Sequence, residues 1–365
     1  MKSVVVLGGY GNFGRRIAAA LAREPDTRVF VSGRDLKQAT SVAQEIGGSA
    51  EPLRLDAHAS NFTAELRKAG ASLVVHTAGP FQGQDYSVPR ACVAAGAHYI
   101  DLADGRSFVC GITALDQEAK LSGTLIVSGA SSVPALSSAV VDALAAQFSS
   151  IESIDHGITS GASPPGKATM DGVLAYAGKP FKQWRDGQWR QVCGWQDLTH
   201  RSYPTPVNGR WIANCDIPDL DLFPERYRPV QTVQFRAGVG PTSSMLGLWL
   251  ASWLVRIGVV GSLRSWVPTL HRTASALARY GSKRSAMHVT VRGVALNGDS
   301  AVRNWFLLAD QDHGPCIPCF PAIALARKLV RDEISIRGAM PCMGLLTVDD
   351  IIGVGEGLDL RVVCG

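Results

Sequence analysis

The first third of the chain alternates short apolar runs with longer amphipathic stretches. Apolar runs fall at 4–7, 28–32, 51–55, 73–77, 98–102 and 124–128, each of strand length. Helical stretches lie between them, near 15–22, 35–47, 59–69, 86–95 and 107–122. Strands alternating with helices predict a parallel sheet joined by right-handed crossovers.

The pattern changes near Ser128-Gly129. Residues 129–132 are a hinge of small side chains, and Pro134 suits the first turn of a helix over 135–147. Strands are then predicted at 153–159, 232–238, 287–295 and 302–309, the last two paired through Leu296-Asn297-Gly298-Asp299. Residues 179–229, rich in Trp, Pro and Arg, read as a lid or an elaborate loop. The stretch 245–263 is the most apolar. Arg256 and several glycines interrupt it, which argues against a membrane span. It reads as a buried helix or a subunit interface; the alternative is a wall for a lipid-like substrate or peripheral contact with a membrane. A compact amphipathic helix at 321–332 is expected to dock on the first domain, and 358–363 is strand-like. The organisation expected is therefore α/β. A Rossmann-type doubly wound sheet spans 1–130, an α+β mixed-sheet domain is inserted at 131–317, and 318–365 returns to the first domain.

The first apolar run breaks into Gly8-Gly9-Tyr10-Gly11-Asn12-Phe13-Gly14 and opens an Ala-rich helix. Strand, glycines and helix in that order cradle a pyrophosphate: glycines let the backbone approach, and the helix N-terminus presents N–H groups to negative charge. The glycines read both as G-x-G-x-x-G from Gly9 and as G-x-x-G-x-x-G from Gly8. The second strand ends in Ser32-Gly33-Arg34. Asp or Glu near this point would accept from a ribose 2′-hydroxyl; a cation suits a 2′-phosphate, hence NADP(H) over NAD(H), unless Arg34 is only a solvated loop residue. Strand ends further along place Asp56 beside the adenine, or at the cap of the next helix. They place Ala78-Gly79-Pro80-Phe81 near the nicotinamide.

A formal net charge of +5 is spread thinly, without a Lys/Arg block, so nucleic-acid binding is not expected. The run after Met1-Lys2-Ser3 feeds straight into the glycines and reads as a first strand, not a cleaved leader. With eight cysteines, this argues for reduced thiols and a cytoplasmic protein. Cys316-Ile317-Pro318-Cys319 has a metal-like spacing, with His313 and Cys342 nearby, but its prolines favour a loop, and no metal is expected.

The glycine run, the segment Ala78-Gly79-Pro80-Phe81, and the segment Ala91-Cys92-Val93-Ala94-Ala95-Gly96-Ala97-His98-Tyr99-Ile100-Asp101-Leu102 together resemble the saccharopine dehydrogenase-like NADP-binding family. The resemblance covers roughly 1–135 and loosens beyond. It implies a dinucleotide-binding domain completed by C-terminal helices, an inserted mixed-sheet substrate domain, NADP-linked oxidoreduction and a homodimer. Family members acting on amino-acid substrates carry an acidic run after the sixth strand; here stands Ser128-Gly129-Ala130-Ser131-Ser132-Val133-Pro134-Ala135. Where relatives show Gly-Glu, this chain has Ala103-Asp104-Gly105. The apolar 245–263 stretch fits the lipid-associated or enoyl-reducing branch.

The expected activity is thus NADPH-dependent reduction of a carbonyl, imine or enoyl group on a small, non-amino-acid, apolar substrate. Gly8, Gly9, Gly11, Asn12, Phe13 and Gly14 would hold the pyrophosphate. Tyr99, Asp101 and Asp104 sit where a proton donor could act, although Tyr99 and Asp101 could equally be structural. Gln84 and Tyr86 could touch substrate. The alternative is a protein that binds the dinucleotide without turnover and docks through its apolar surface.

Overall fold

The computed structural model describes residues 1–163, 166–278 and 281–365. These form two compact units. One joins Met1–Leu136 with Pro318–Val354; the other joins Ser137–Ile317 with Gly355–Gly365.

The first unit begins with β1 (Lys2–Leu7), α1 (Asn12–Leu21), β2 (Thr27–Gly33), α2 (Leu36–Ile46), β3 (Ala50–Arg54) and α3 (Phe62–Lys68). It continues with β4 (Ala71–His76), α4 (Ser87–Ala95), β5 (His98–Asp101), α5 (Arg106–Gly111), α6 (Asp116–Leu121) and β6 (Leu125–Ser128). The sheet runs β6-β5-β4-β1-β2-β3, with a seventh strand, Gly338–Pro341, outside β6. Every pairing is parallel. Val4, Val5, Val6 and Leu7 are all buried, as expected of a central strand covered on both faces. The stretch 107–122 is not one helix: a 3-10 turn at Ile112–Leu115 separates α5 from α6. Gly111 ends α5 where a Cβ would come within 2.5 Å of the Tyr86 phenol oxygen. Asp116 and Glu118 then favour a new helix N-terminus.

The second unit contains α7 (Ser137–Ala145), β7 (Phe148–Thr159), α8 (Lys167–Ala175), β8 (Pro180–Arg185), β9 (Gln188–Cys193), β10 (Thr199–Ser202) and β11 (Gly209–Asn214). α9 (Asp219–Arg226), β12 (Thr232–Gly238), α10 (Thr242–Arg256), α11 (Val267–Leu277), β13 (Ser285–Ala295) and β14 (Ser300–Ala309) follow. The chain then contributes α12 (Phe320–Val330), β15 (Gly338–Pro341) and α13 (Val348–Ile352) to the first unit, and β16 (Leu360–Cys364) to the second. The second sheet runs β10-β11-β12-β7-β13-β14-β16, antiparallel except for β12 beside β7. α7 and α9 pack on it.

The structure differs from the sequence reading in four further places. Residues 179–229 are ordered: they hold the β8–β9 hairpin, β10, β11 and α9. The hairpin turns at Asp186-Gly187, both at positive φ (53° and 70°), the geometry a two-residue hairpin loop requires. The last eleven residues do not return to the first unit, because β16 pairs with β14. Residues 131–136, in turn, pack with the first unit. Within 245–263 only Met245, Ser252 and Leu263 are buried, so the stretch is not a core helix.

Candidate functional site

The glycine loop is tied to its surroundings by backbone groups. The N–H groups of Gly8 and Gly9 both donate to the Ser32 carbonyl at 2.9 Å, and Thr77 Oγ1 donates to the Leu7 and Gly8 carbonyls at 2.9 and 3.2 Å. Gly8 sits at φ +82°, and a Cβ there would lie 2.9 Å from Thr77 Oγ1. A Cβ on Gly14 would run into the Gly8 carbonyl oxygen. A Cβ on Gly9 would likewise come within 2.9 Å of the Ser32 nitrogen and the Val6 carbonyl oxygen, so packing demands glycine in both readings, from Gly8 and from Gly9. Gly8 makes the turn, Gly11 caps α1 without a side chain, and Gly14 lets the helix close on the loop. The first-turn N–H groups of α1 have no intrahelical partner and no capping side chain, and no acidic residue stands beside them.

Beyond β2 an open depression of ≈ 670 Å³ is lined by Tyr10, Arg34, Asp35, Lys37, Gln38 and Arg54, among others. Three of these are cations, and among the described residues Arg34 and Arg54 form no ion pair. Asp35, the acidic candidate here, is occupied: it caps α2, accepting from the Gln38 N–H at 3.2 Å and from Gln38 Nε2 at 2.9 Å. These bonds hold its carboxyl below the usual range. Tyr10 lies over Gly33, where a Cβ would meet its ring, and its hydroxyl accepts from the Asp35 N–H at 3.3 Å. Sequence reasoning found Arg34 but missed Tyr10, Lys37 and Arg54. Lys37 stands three residues beyond Arg34, a signal that could have been read; Arg54 is brought close only by β2–β3 pairing.

Several expected contacts are committed elsewhere. The Ser32 hydroxyl is buried and donates to the Val6 carbonyl at 3.0 Å. The Asn12 side chain accepts from Arg16. Asp56 accepts from the His58 N–H at 3.1 Å, and Asn61, not Asp56, stands at the cap of α3. Within Ala78-Gly79-Pro80-Phe81, the Phe81 ring is buried against His76 and Phe108, with centroids 5.0 and 5.5 Å away. Gln84 Nε2 clamps this loop by donating to the Ala78 and Pro80 carbonyls at 3.1 and 2.8 Å. Tyr86 donates to the Phe108 carbonyl at 2.8 Å. Gln84 therefore holds the 78–80 loop and Tyr86 ties to α5, each with the polar atom that was expected to meet substrate.

Tyr99 and Asp101 need correction as proton donors. Both are 0% exposed. The Tyr99 hydroxyl and His76 Nδ1 share a hydrogen bond at 3.0 Å. Asp101 Oδ1 accepts from Ser128 Oγ (2.9 Å), the Gly129 N–H (2.8 Å) and the Ala103 N–H (2.9 Å), pinning the chain at the C-terminal ends of β5 and β6. Among the described residues no hydrogen bond within 3.5 Å reaches its Oδ2. Burial pushes the carboxyl up to about 6 against the pull of those donors. The same burial, with the Asp101 charge, holds the Tyr99 phenol well above its ordinary value, and burial pushes His76 down to about 4. All three are sealed from solvent and hydrogen-bonded within the protein, the arrangement of a structural cluster.

Asp104 is different. It is partly exposed, accepts from Gln82 Nε2 at 3.0 Å, and is raised from its ordinary value by desolvation against the pull of that bond. It lies past the end of β5, in the loop where the parallel sheet's crevice opens.

Elsewhere, His156 Nε2 meets Asp219 Oδ2 at 2.9 Å, and Ser137 Oγ donates to the same oxygen. Ser137 and His156 both bond the carboxylate and all three are buried, so this is no nucleophile–base pair. No disulfide links the cysteines, and no group of three or more His, Cys, Asp or Glu among the described residues is arranged to hold a metal ion.

A seven-stranded parallel sheet, a glycine cradle at a helix N-terminus and a cationic depression past the second strand define a Rossmann-type dinucleotide-binding protein. Residues 4–127 match the saccharopine dehydrogenase NADP binding domain, a match that supports NADP(H) as the cofactor. A protein of Mycobacterium tuberculosis strain H37Rv, provisionally named a trans-acting enoyl reductase, is 33% identical over 110 residues; the match covers 29% of this chain and 26% of that protein. Apo saccharopine dehydrogenase (L-Glu forming) from Saccharomyces cerevisiae shares the fold across both whole chains, with a TM-score of 0.70 and 13% identity. Homospermidine synthase from Legionella pneumophila, in complex with NAD, aligns with all of this chain and 91% of its own, with a TM-score of 0.64 and 10% identity.

Proposed function

We propose that this protein is an NADPH-dependent reductase acting on a carbonyl, imine or enoyl group of a small apolar substrate that is not an amino acid. The observation that carries the reading is the pairing of the Gly8–Gly11–Gly14 cradle with the Arg34, Lys37 and Arg54 cations. The residues fit the group: the open N–H groups of α1 suit a pyrophosphate, and three cations around a depression without an available carboxylate suit a 2′-phosphate. When bound, NADPH supplies the hydride. The chain's own part is positioning and proton supply. Gln84 fixes the carbonyls of the 78–80 loop, and buried Phe81 anchors it, so this loop is preset beside the sheet's switch point. Asp104, held by Gln82 and raised by desolvation, keeps a proton to a higher pH than an ordinary carboxyl and is the group assigned to protonate the reduced substrate. Ser131 and Ser132, in place of an acidic run, leave no carboxylate there for a cationic amino-acid substrate. The mycobacterial relative's name supports the enoyl class.

Binding without turnover is the second reading, favoured by the burial of Tyr99 and Asp101. One experiment separates the two. NADPH is titrated calorimetrically, then its oxidation is followed with panels of ketones, imines and enoyl thioesters. NADPH binding at least about tenfold tighter than NADH, reduced to parity by Arg34→Ala with Arg54→Ala, is expected. No binding of either nucleotide at millimolar concentration overturns the proposal; tight binding with no turnover on any panel supports the second reading.

A further inference from the structure

The stretch 245–263 has its greasy side outward. α10 is fifteen residues long, roughly 22 Å. Met245 and Ser252 face inward and are fully buried; Ser252 Oγ donates to the Trp249 carbonyl at 2.7 Å and, more weakly, to that of Trp195. Gly178 lets the helix close in, since a Cβ there would meet the Ser252 carbonyl. The opposite face carries Leu246, Leu250, Trp253, Leu254 and Ile257, spaced as one helical stripe. Leu250 is 58% exposed and Ile257 64%. Val259 and Trp266, at 68% and 52%, extend the patch past the helix end. A water-facing helix normally reverses this pattern, so the patch calls for an occupant.

Charge selects it. From 226 to 298 the sequence holds no Asp or Glu, while Arg256, Arg264 and Arg272 lie along the apolar segment and its continuation into α11. Arg256 and Arg272 are exposed, and Arg256 sits 4.8 Å from the Trp253 ring centre. Asp171 on α8, paired with Arg264, is the nearby counter-charge. A second copy docked through the same face would bring these arginines towards their own like charges. A bilayer carrying anionic headgroups offers the reverse: opposite charge at the rim, hydrocarbon under the leucines, and an interface for Trp253 and Trp266. No helix among the described residues is long and apolar enough to cross a membrane, so the contact lies in the interfacial plane.

We infer that α10 and the segment to Trp266 dock this protein onto anionic phospholipid surfaces. The inference is independent of the cofactor reading. The test is flotation of the full chain with vesicles of phosphatidylcholine alone or mixed with phosphatidylglycerol, at low and high salt. Expected are co-flotation with the anionic vesicles, loss of most binding without phosphatidylglycerol or at high salt, and binding about tenfold weaker for Leu250→Ser with Leu254→Ser. Arg272→Glu, which reverses an exposed charge on α11, is expected to weaken anionic-vesicle binding roughly tenfold. Both changes are on exposed side chains, and unchanged thermal unfolding verifies that the variants fold. Three results each overturn the inference: no flotation with anionic vesicles, flotation of both folded variants equal to the parent, or a lipid-free dimer that the leucine changes dissociate.

Discussion

Asp101 and His76 stand opposite each other across β5 and β4, and their titrations oppose each other. Asp101 is raised to about 6, so the stability tied to its proton is full below its ordinary 3.8 and is lost as pH rises through 6. His76 is lowered to about 4, so its contribution is full above 6.5 and is lost as pH falls towards 4. Between these limits each slope approaches about 1.4 kcal/mol per pH unit, with opposite sign. Asp101→Asn keeps an acceptor for Ser128, Gly129 and Ala103 and removes one titration. Its stability relative to the parent is expected to climb as pH goes from 4 to 6 in urea unfolding; parallel profiles would count against the assignment. Asp101→Ala strands three donors and is expected to cost about 3 kcal/mol or more. At Asp104 the expectation concerns turnover: Asp104→Asn should lower kcat by about a hundredfold and leave the NADPH dissociation constant unchanged. The sequence marks Tyr99 and Asp101 as chemically capable at the right strand, but only packing shows that the same strand seals them, while Asp104, three residues on, emerges.

α1 and its glycine loop were legible almost completely, because the demand on them is local. A turn at positive φ and a helix packed on a carbonyl both need a missing Cβ, and glycine spacing reports that directly. Gly14→Ala is therefore expected to destabilise the first unit by about 1–3 kcal/mol through overpacking and to weaken NADPH binding at least tenfold. Calorimetry on the folded variant checks both; an alanine tolerated without loss would move the cradle elsewhere. α10 was legible as a helix but not as a surface. Apolar content says that a segment avoids water, while which side it turns inward depends on neighbours such as Gly178 that are distant in sequence. The β8–β9 hairpin was missed for a different reason. Its Asp-Gly turn signal was present, but the Trp and Arg on its short strands do not alternate cleanly with apolar residues.

At the scale of the molecule, the first unit is discontinuous, and its stability depends on the returning segment. α12 buries Phe320, Ala322, Ile323, Leu325, Ala326 and Leu329 against α1, β4 and β5, and β15 completes the sheet beside β6. At about 1.5–3 kcal/mol for each large buried side chain, α12 alone offers on the order of 10 kcal/mol. That equals the whole net stability of a typical domain. The amphipathic pattern at 321–332 foretold this return. It could not locate its end, because five residues of β16 suit either sheet and only the β14 pairing decides. Residues 1–136 alone are therefore expected to lack a cooperative unfolding transition and to bind no NADPH. The same residues joined by a Gly/Ser linker to 318–354 should unfold cooperatively and bind NADPH within about tenfold of the full chain, since every residue of the cradle and of the cationic depression lies in this unit. Cooperative folding and binding by 1–136 alone would make α12 a passenger. Failure of the joined chain to bind, though folded, would mean that the second unit contributes to the nucleotide site.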